Sequence, residues 1–97
     1  MRKIVFVLLL LASTFGVNYA QTVSGTVTDA ADGQPLPGVN VSVQGTSNGA
    51  MTNVDGTYSI EVGNGTTLVF SFIGYATQNV SVNGQTTINV VLATDDQ

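Results

Sequence analysis

The chain is expected to fold as an all-β protein, a seven-stranded antiparallel β-sandwich, and three observations point there. Beyond residue 20, short stretches alternate apolar and polar residues, the period-two signature of strands with one buried face. Clusters of Gly, Asn, Asp and Pro separate these stretches at intervals of roughly 8 to 12 residues, the spacing of small sandwiches. No stretch of that region shows the i, i+3, i+4 recurrence of an amphipathic helix.

The first twenty residues read differently. Arg2 and Lys3 precede an unbroken apolar run from Ile4 to Ala12, and Asn18-Tyr19-Ala20 ends in a small residue. That is the layout of a cleaved signal peptide over 1–20, with the mature chain beginning near Gln21. A membrane span needs about 20 apolar residues, and Ser13, Thr14, Gly16 and Asn18 break this run. No cysteine follows to accept a lipid. The sandwich domain is then expected over 21–94, with 95–97 a frayed tail or the start of a linker.

Val23 to Asp29 alternates apolar or small residues with hydroxyl residues and runs into the turn Asp29-Ala30-Ala31-Asp32-Gly33. Pro35 and Pro37 fix φ and keep Gln34 and Leu36 extended. Gly38 then releases the chain into a second strand, Val39 to Gln44, with Val39, Val41 and Val43 on one face. A loop from Thr46 to Ala50 follows, where Asn48-Gly49 suits positive φ. A short strand at Met51 to Asn53 reverses at Val54-Asp55-Gly56 into a strand with Tyr58, Ile60 and Val62 on one face. After Gly63-Asn64-Gly65, Leu68 to Ile73 is the most apolar stretch and is expected to be the central, doubly covered strand. Gly74-Tyr75 breaks it, Ala76 to Val82 resumes, Asn83-Gly84 turns, and Ile88, Val90 and Leu92 form the last row. The expected core is Val27, Val39, Val41, Val43, Tyr58, Ile60, Leu68, Phe70, Phe72, Val80, Ile88, Val90 and Leu92.

Charge and missing residue types exclude whole classes of function. Arg2 and Lys3 are the only basic residues, so the expected mature domain carries six acids and no base. Nucleic-acid binding needs cations against phosphates, and attraction to an anionic leaflet needs the same groups. No nucleic-acid partner and no direct membrane insertion of the mature domain are expected. Without His or Cys, no Ser/His/Asp or Cys/His nucleophile can be assembled, and zinc lacks its imidazole and thiolate ligands. No catalytic, metal or cofactor residue is expected. With no disulfide available, the roughly 77 mature residues rest on their apolar core alone, near the lower limit for an isolated domain.

Carboxylates are the only acid–base groups left. Asp29 with Asp32, or Asp95 with Asp96, could pair as in glycoside hydrolysis, but the first two lie in a turn and the second two beyond the last core residue. Asn53-Val54-Asp55-Gly56 faintly resembles the start of a calcium loop, yet lacks the distal Glu and reads as a tight reversal. Tyr75 is a candidate for sugar stacking against the commoner role of a half-buried core tyrosine. Asn40, Asn64 and Asn79 head glycosylation sequons, as expected by chance in a chain rich in Asn, Ser and Thr.

The succession Val23-Ser24-Gly25-Thr26-Val27-Thr28-Asp29, Gln34-Pro35-Leu36-Pro37-Gly38-Val39-Asn40-Val41, Gly45-Thr46, Thr52 to Ile60, Leu68 to Tyr75 and Ile88 to Leu92 resembles one family across the mature chain. It is similar to the carboxypeptidase-regulatory-like (transthyretin-like) N-terminal domain of SusC/RagA-type TonB-dependent outer-membrane receptors of Bacteroidota. The resemblance implies a transthyretin-like, Greek-key sandwich without catalytic activity. It implies an exported domain at the periplasmic face of the outer membrane, acting as an interaction or positioning module of a glycan or peptide receptor. The implied partners are the plug and barrel of the same receptor, TonB, or a surface lipoprotein. Such receptors continue into a plug and barrel, whereas this sequence stops at Asp95-Asp96-Gln97, so a fragment or a stand-alone copy of the domain is expected. The alternative is a secreted binding or adhesin-like sandwich.

Overall fold

A computed structural model describes residues 21–63 and 65–95. The expected signal peptide and the last two residues lie outside that range. Seven strands are formed: β1 (Gln21–Asp29), β2 (Asn40–Val43), β3 (Gly49–Met51), β4 (Thr57–Val62), β5 (Thr67–Ser71), β6 (Gln78–Ser81) and β7 (Val90–Leu92). They make a three-stranded sheet in the order β4-β1-β7 and a four-stranded sheet in the order β3-β2-β5-β6. No helix occurs among the described residues.

The sandwich is as expected, with one ladder of different polarity. β1 runs antiparallel to β4 but parallel to β7, with Val27 opposite Val90 and Asp29 opposite Leu92. Apolar alternation reports which face is buried and is blind to strand direction, so an antiparallel sheet was the natural expectation. The parallel pair forms because the last strand enters beside the first from the β6 side, after a turn at Asn83-Gly84 where both residues have positive φ (51° and 74°).

The β1–β7 ladder is interrupted at Gly25. Ser24 bonds to the last segment in both directions, donating to Thr86 O at 3.0 Å and accepting from Ile88 N at 2.9 Å. At Thr26 the backbone N–H instead donates to the Asn89 side chain, at 3.0 Å. A Cβ on Gly25 would lie 1.8 Å from Ile88 O, so only glycine fits there. Tyr58 stands opposite Gly25 on β4, and the missing side chain leaves its hydroxyl room to donate to Ile88 O at 2.6 Å. The Tyr58 ring meets Phe70 of the other sheet edge-on, with centroids 5.3 Å apart, an orientation in which the ring edge meets the negative π-face. Gly25 and Tyr58 thus join both sheets to the final segment.

The core holds Val23, Val27, Val39, Val41, Tyr58, Ile60, Val62, Leu68, Phe70, Val82, Ile88, Val90 and Leu92. Three expected members, Val43, Phe72 and Val80, pack against it only partly buried, and Val23, Val62 and Val82 take full places instead. β5 is central within its sheet, between β2 and β6, but it is covered on one face. Leu68 and Phe70 are buried, Val69 is half-buried, and Ile73 is 95% exposed. An apolar run cannot distinguish two covered faces from one covered face and an exposed tip.

Turn chemistry shifts β3 as well. Gly45, not Asn48-Gly49, takes the left-handed conformation after β2, with φ 82°. Strand pairing therefore starts early, with Gly49 opposite Ser42 and Met51 opposite Asn40. Thr52 follows β3 as the one buried polar residue of the described chain. Its hydroxyl accepts from Val39 N (2.9 Å) and donates to Leu36 O (2.6 Å). Its backbone N–H donates to Val39 O, and its carbonyl accepts from Gly38 N, both at 3.0 Å. The proline corner is held to the core through this residue, with Gly38 at φ 80°.

Candidate interaction surface

The register places three loops at one end of the sandwich, where β1 ends and β4 begins. Gln34 to Leu36 continues the line of β4 along β1: Asp29 N donates to Gln34 O, Leu36 N donates to Val27 O, and Pro35 bridges Thr28. The β3–β4 turn abuts this corner. A Cβ on Gly56 would stand 2.7 Å from Pro35 Cβ and 2.9 Å from Val27 O, and the residue has φ 75°. The third loop, Phe72 to Tyr75, follows β5. Its Tyr75 ring lies 5.6 Å from Phe72 by centroid, and its hydroxyl donates to Asp29 Oδ2 at the end of β1.

The carboxylate and calcium candidates resolve into turn chemistry. Asp29 Oδ1 accepts from Ala31 N at 2.8 Å and Asp32 Oδ1 from Gln34 N at 3.0 Å, the short-range pattern of Asx turns. The Tyr75 hydroxyl, and after it the Ala31 N–H, hold the Asp29 carboxyl below the usual carboxylate range, and the same bond raises the Tyr75 phenol. Asn53 Oδ1 accepts from Asp55 N and Thr57 N, which commits the leading oxygen of the calcium-like stretch to its own backbone. Tyr75 is half-buried against Phe72 and is not a free stacking platform. Asp95 is exposed, with its N–H on Gly74 O, and Asp96 lies outside the described residues. Of the sequon asparagines, Asn40 and Asn79 are exposed, and Asn64 lies outside the described residues.

Among the described residues no group of three or more His, Cys, Asp or Glu side chains converges. An open depression of about 480 Å³ lies over β2 and β3, bordered by Asn40, Ser42, Ala50 and Met51. Burial pushes the Tyr58 phenol up to about 12, a consequence of its place in the core.

The seams between the two sheets are bridged by uncharged amides: Asn48 Nδ2 donates to Glu61 O (2.9 Å) at one seam and Gln78 Nε2 to Val91 O (3.0 Å) at the other. These occupy edge carbonyls that many sheets shield with lysine. Exposed large apolar residues are Met51, Val54, Ile73 and Val91. Sequence reasoning placed Ile73 in a strand and Val54 in a turn without assigning either a surface role. Each directly precedes a glycine or an Asp-Gly pair, the one signal that marks a loop tip.

The two stacked sheets make an all-β sandwich, an architecture shared by many unrelated functions. The shape resembles a chain of the type II cohesin–X-dockerin complex of Acetivibrio cellulolyticus. The TM-score is 0.63 at 22% identity, over 79% of this chain and 60% of that one.

Sequence defines the family: the CarboxypepD_reg-like domain profile matches residues 23–97, and the chain belongs to that family. It is 41% identical over 96 residues, 98% of its length, to TonB-dependent receptor P3 of Formosa agariphila. TonB-dependent receptor P39 of the same organism is 45% identical over 95% of the chain. TonB-dependent receptor SusC of Bacteroides thetaiotaomicron is 41% identical over 78%. The matched segment is 10%, 9% and 7% of those three proteins. This chain therefore spans about a tenth or less of the relatives it matches.

Proposed function

We propose that the chain is the non-catalytic, periplasmic N-terminal domain of a TonB-dependent outer-membrane receptor for glycan or peptide nutrients. In this reading residues 1–20 are the export signal, 21–94 the domain, and 95–97 the start of the link to plug and barrel. The observation that carries the reading is 41% identity over 98% of this chain to one-tenth of a receptor, the relation of one module to a much longer protein. The absence of His, Cys and, past residue 3, any base fits a role in contact and positioning. The partners are the plug and barrel of the same receptor, with TonB or a surface lipoprotein as further candidates.

Reading the coding sequence beyond codon 97 tests the assignment. A continuous frame encoding a plug and barrel is expected, and a stop codon followed by unrelated sequence would overturn it. Fractionation of cells expressing the natural protein gives a second measurement, with the domain expected in the outer-membrane fraction and susceptible to protease only once the periplasm is opened.

A further inference from the structure

The two ends of the sandwich differ in chemistry. At the end where β1 finishes, Val54 is 83% and Ile73 95% exposed, and Pro35 and Pro37 are exposed between their loops. The three loops are contiguous: Gly56 abuts Pro35, and the Cβ position of Gly38 is 3.7 Å from the Phe72 ring. Exposed Asp32, Asp55 and Asp95 belong to the same end, where the partly exposed Asp29 closes β1. Only Glu61 of the described acids lies toward the other end, whose loops offer Gln44, Thr46, Ser47, Asn83 and Gln85.

The chain also leaves the sandwich at the apolar end. After β7, Ala93 O accepts from Ala76 N, and Asp95 N donates to Gly74 O, next to Ile73. Asp95, the last described residue, thus sits beside the exposed Ile73 tip.

We infer that this end, with Val54, Ile73 and the Pro35–Pro37 corner, is a docking face that rests on an apolar patch ringed by basic side chains on the body of the receptor. The inference rests on the receptor reading above. Three observations select the occupant. The relatives are ten or more times longer than the matched segment, the exit strand points their continuation to this end, and the rim is acidic on a domain without a single base beyond Lys3. Apolar tips at loop ends lose nothing to secondary structure when they are covered, and the carboxylates favour a cationic rim on the partner.

The test uses single-thiol labelling, since the chain has no cysteine. Val54→Cys, Ile73→Cys and Asn79→Cys are made both in the chain alone and in the full receptor encoded with it. Maleimide is expected to label all three at similar rates in the chain alone. In the receptor the first two should slow by about tenfold or more and Asn79→Cys should not. Protection should fall at 1 M salt, where the screening length is about 3 Å, and in the Asp32→Asn, Asp55→Asn, Asp95→Asn triple variant.

Equal rates at all three sites in the receptor, or protection confined to Asn79→Cys, overturn the docking face and leave the receptor reading standing. Protection insensitive to both salt and the triple variant overturns the basic rim. A frame that stops at codon 97 overturns the receptor reading and this inference together. Hydrogen exchange at the Val54 and Ile73 amides of the unsubstituted proteins gives the same comparison without any substitution.

Discussion

The end of the sandwich that carries the proline corner is built from interlocking backbone, and the opposite end from open turns. Around Gly56 and Thr52, three segments approach within van der Waals contact and share hydrogen bonds. At the other end, Gly45, Gly65 and Gly84 also take positive φ, but a Cβ on any of them would meet nothing within 4 Å, as is true of Gly33 and Gly74 on the rim of the first end. The difference teaches that local conformation alone does not identify the turns that matter. A left-handed glycine costs its substitute a strained backbone, and a left-handed glycine against another segment costs it a displaced neighbour as well.

The largest expected effect lies outside both ends, at the crossing that joins them. Gly25→Ala places a Cβ on the Ile88 carbonyl and pushes Tyr58 off its acceptor. A loss of about 4 kcal/mol is expected, most of the stability of a domain this size, read as a thermal midpoint lowered by 15 °C or more in far-ultraviolet circular dichroism. A loss below about 1 kcal/mol would show that the strands separate there more easily than the contact implies.

The two ends separate in the next pair. Gly56→Ala should lose about 3 kcal/mol, through strain plus contact with Pro35 and Val27, and Gly84→Ala about 1 kcal/mol through strain alone. Equal losses in urea melts would erase the distinction drawn between the ends. Thr52→Val and Thr66→Val form a smaller pair. The first leaves Val39 N–H and Leu36 O without partners inside the protein, at about 2 kcal/mol. The second removes an exposed hydroxyl that donates to Gly63 O, at less than about 0.5 kcal/mol.

The smallest effect is the most specific. Asp29 is held below the ordinary carboxylate value of 3.8 in the folded chain, so its contribution is present above that value and is lost as pH falls through the folded pKa. Tyr75→Phe removes the leading cause of the shift. The variant should therefore be less stable than the parent at pH 7, and the gap should narrow as pH falls through the folded pKa of Asp29. A gap of constant size across that range would mean that the ring packing, and not the bond to Asp29, had been altered.

Much of this was readable in advance. The valine alternation at 39, 41 and 43 and the Tyr58, Ile60, Val62 row announced strands and their buried faces, because a period of two is imposed by the strand itself. The carboxylates of Asp29 and Asp32 were readable as turn residues, since an Asx turn closes within two positions. Burial of Val23 in place of Val43 was not readable: both lie on correct faces, and only the offset between the stacked sheets decides which is covered fully. The exposure of Ile73 and its place at the same end as Val54 were hidden for a related reason, since loops far apart in sequence come to one end only through the packing of the sheets.

The sequence by itself determined that the chain is all-β beyond its first twenty residues, that it resembles carboxypeptidase-regulatory-like domains, and that past residue 3 it has no His, Cys, Lys or Arg. The first follows from local periodicity, the second from the succession of motifs along the chain, and the third from which side chains exist. The tertiary structure decided the parallel course of β7 along β1, the requirement for glycine at position 25, and the apolar, acid-rimmed end from which the chain departs. Each depends on segments distant in sequence meeting at a fixed offset, and that offset is set by how two twisted sheets pack, which no local pattern encodes.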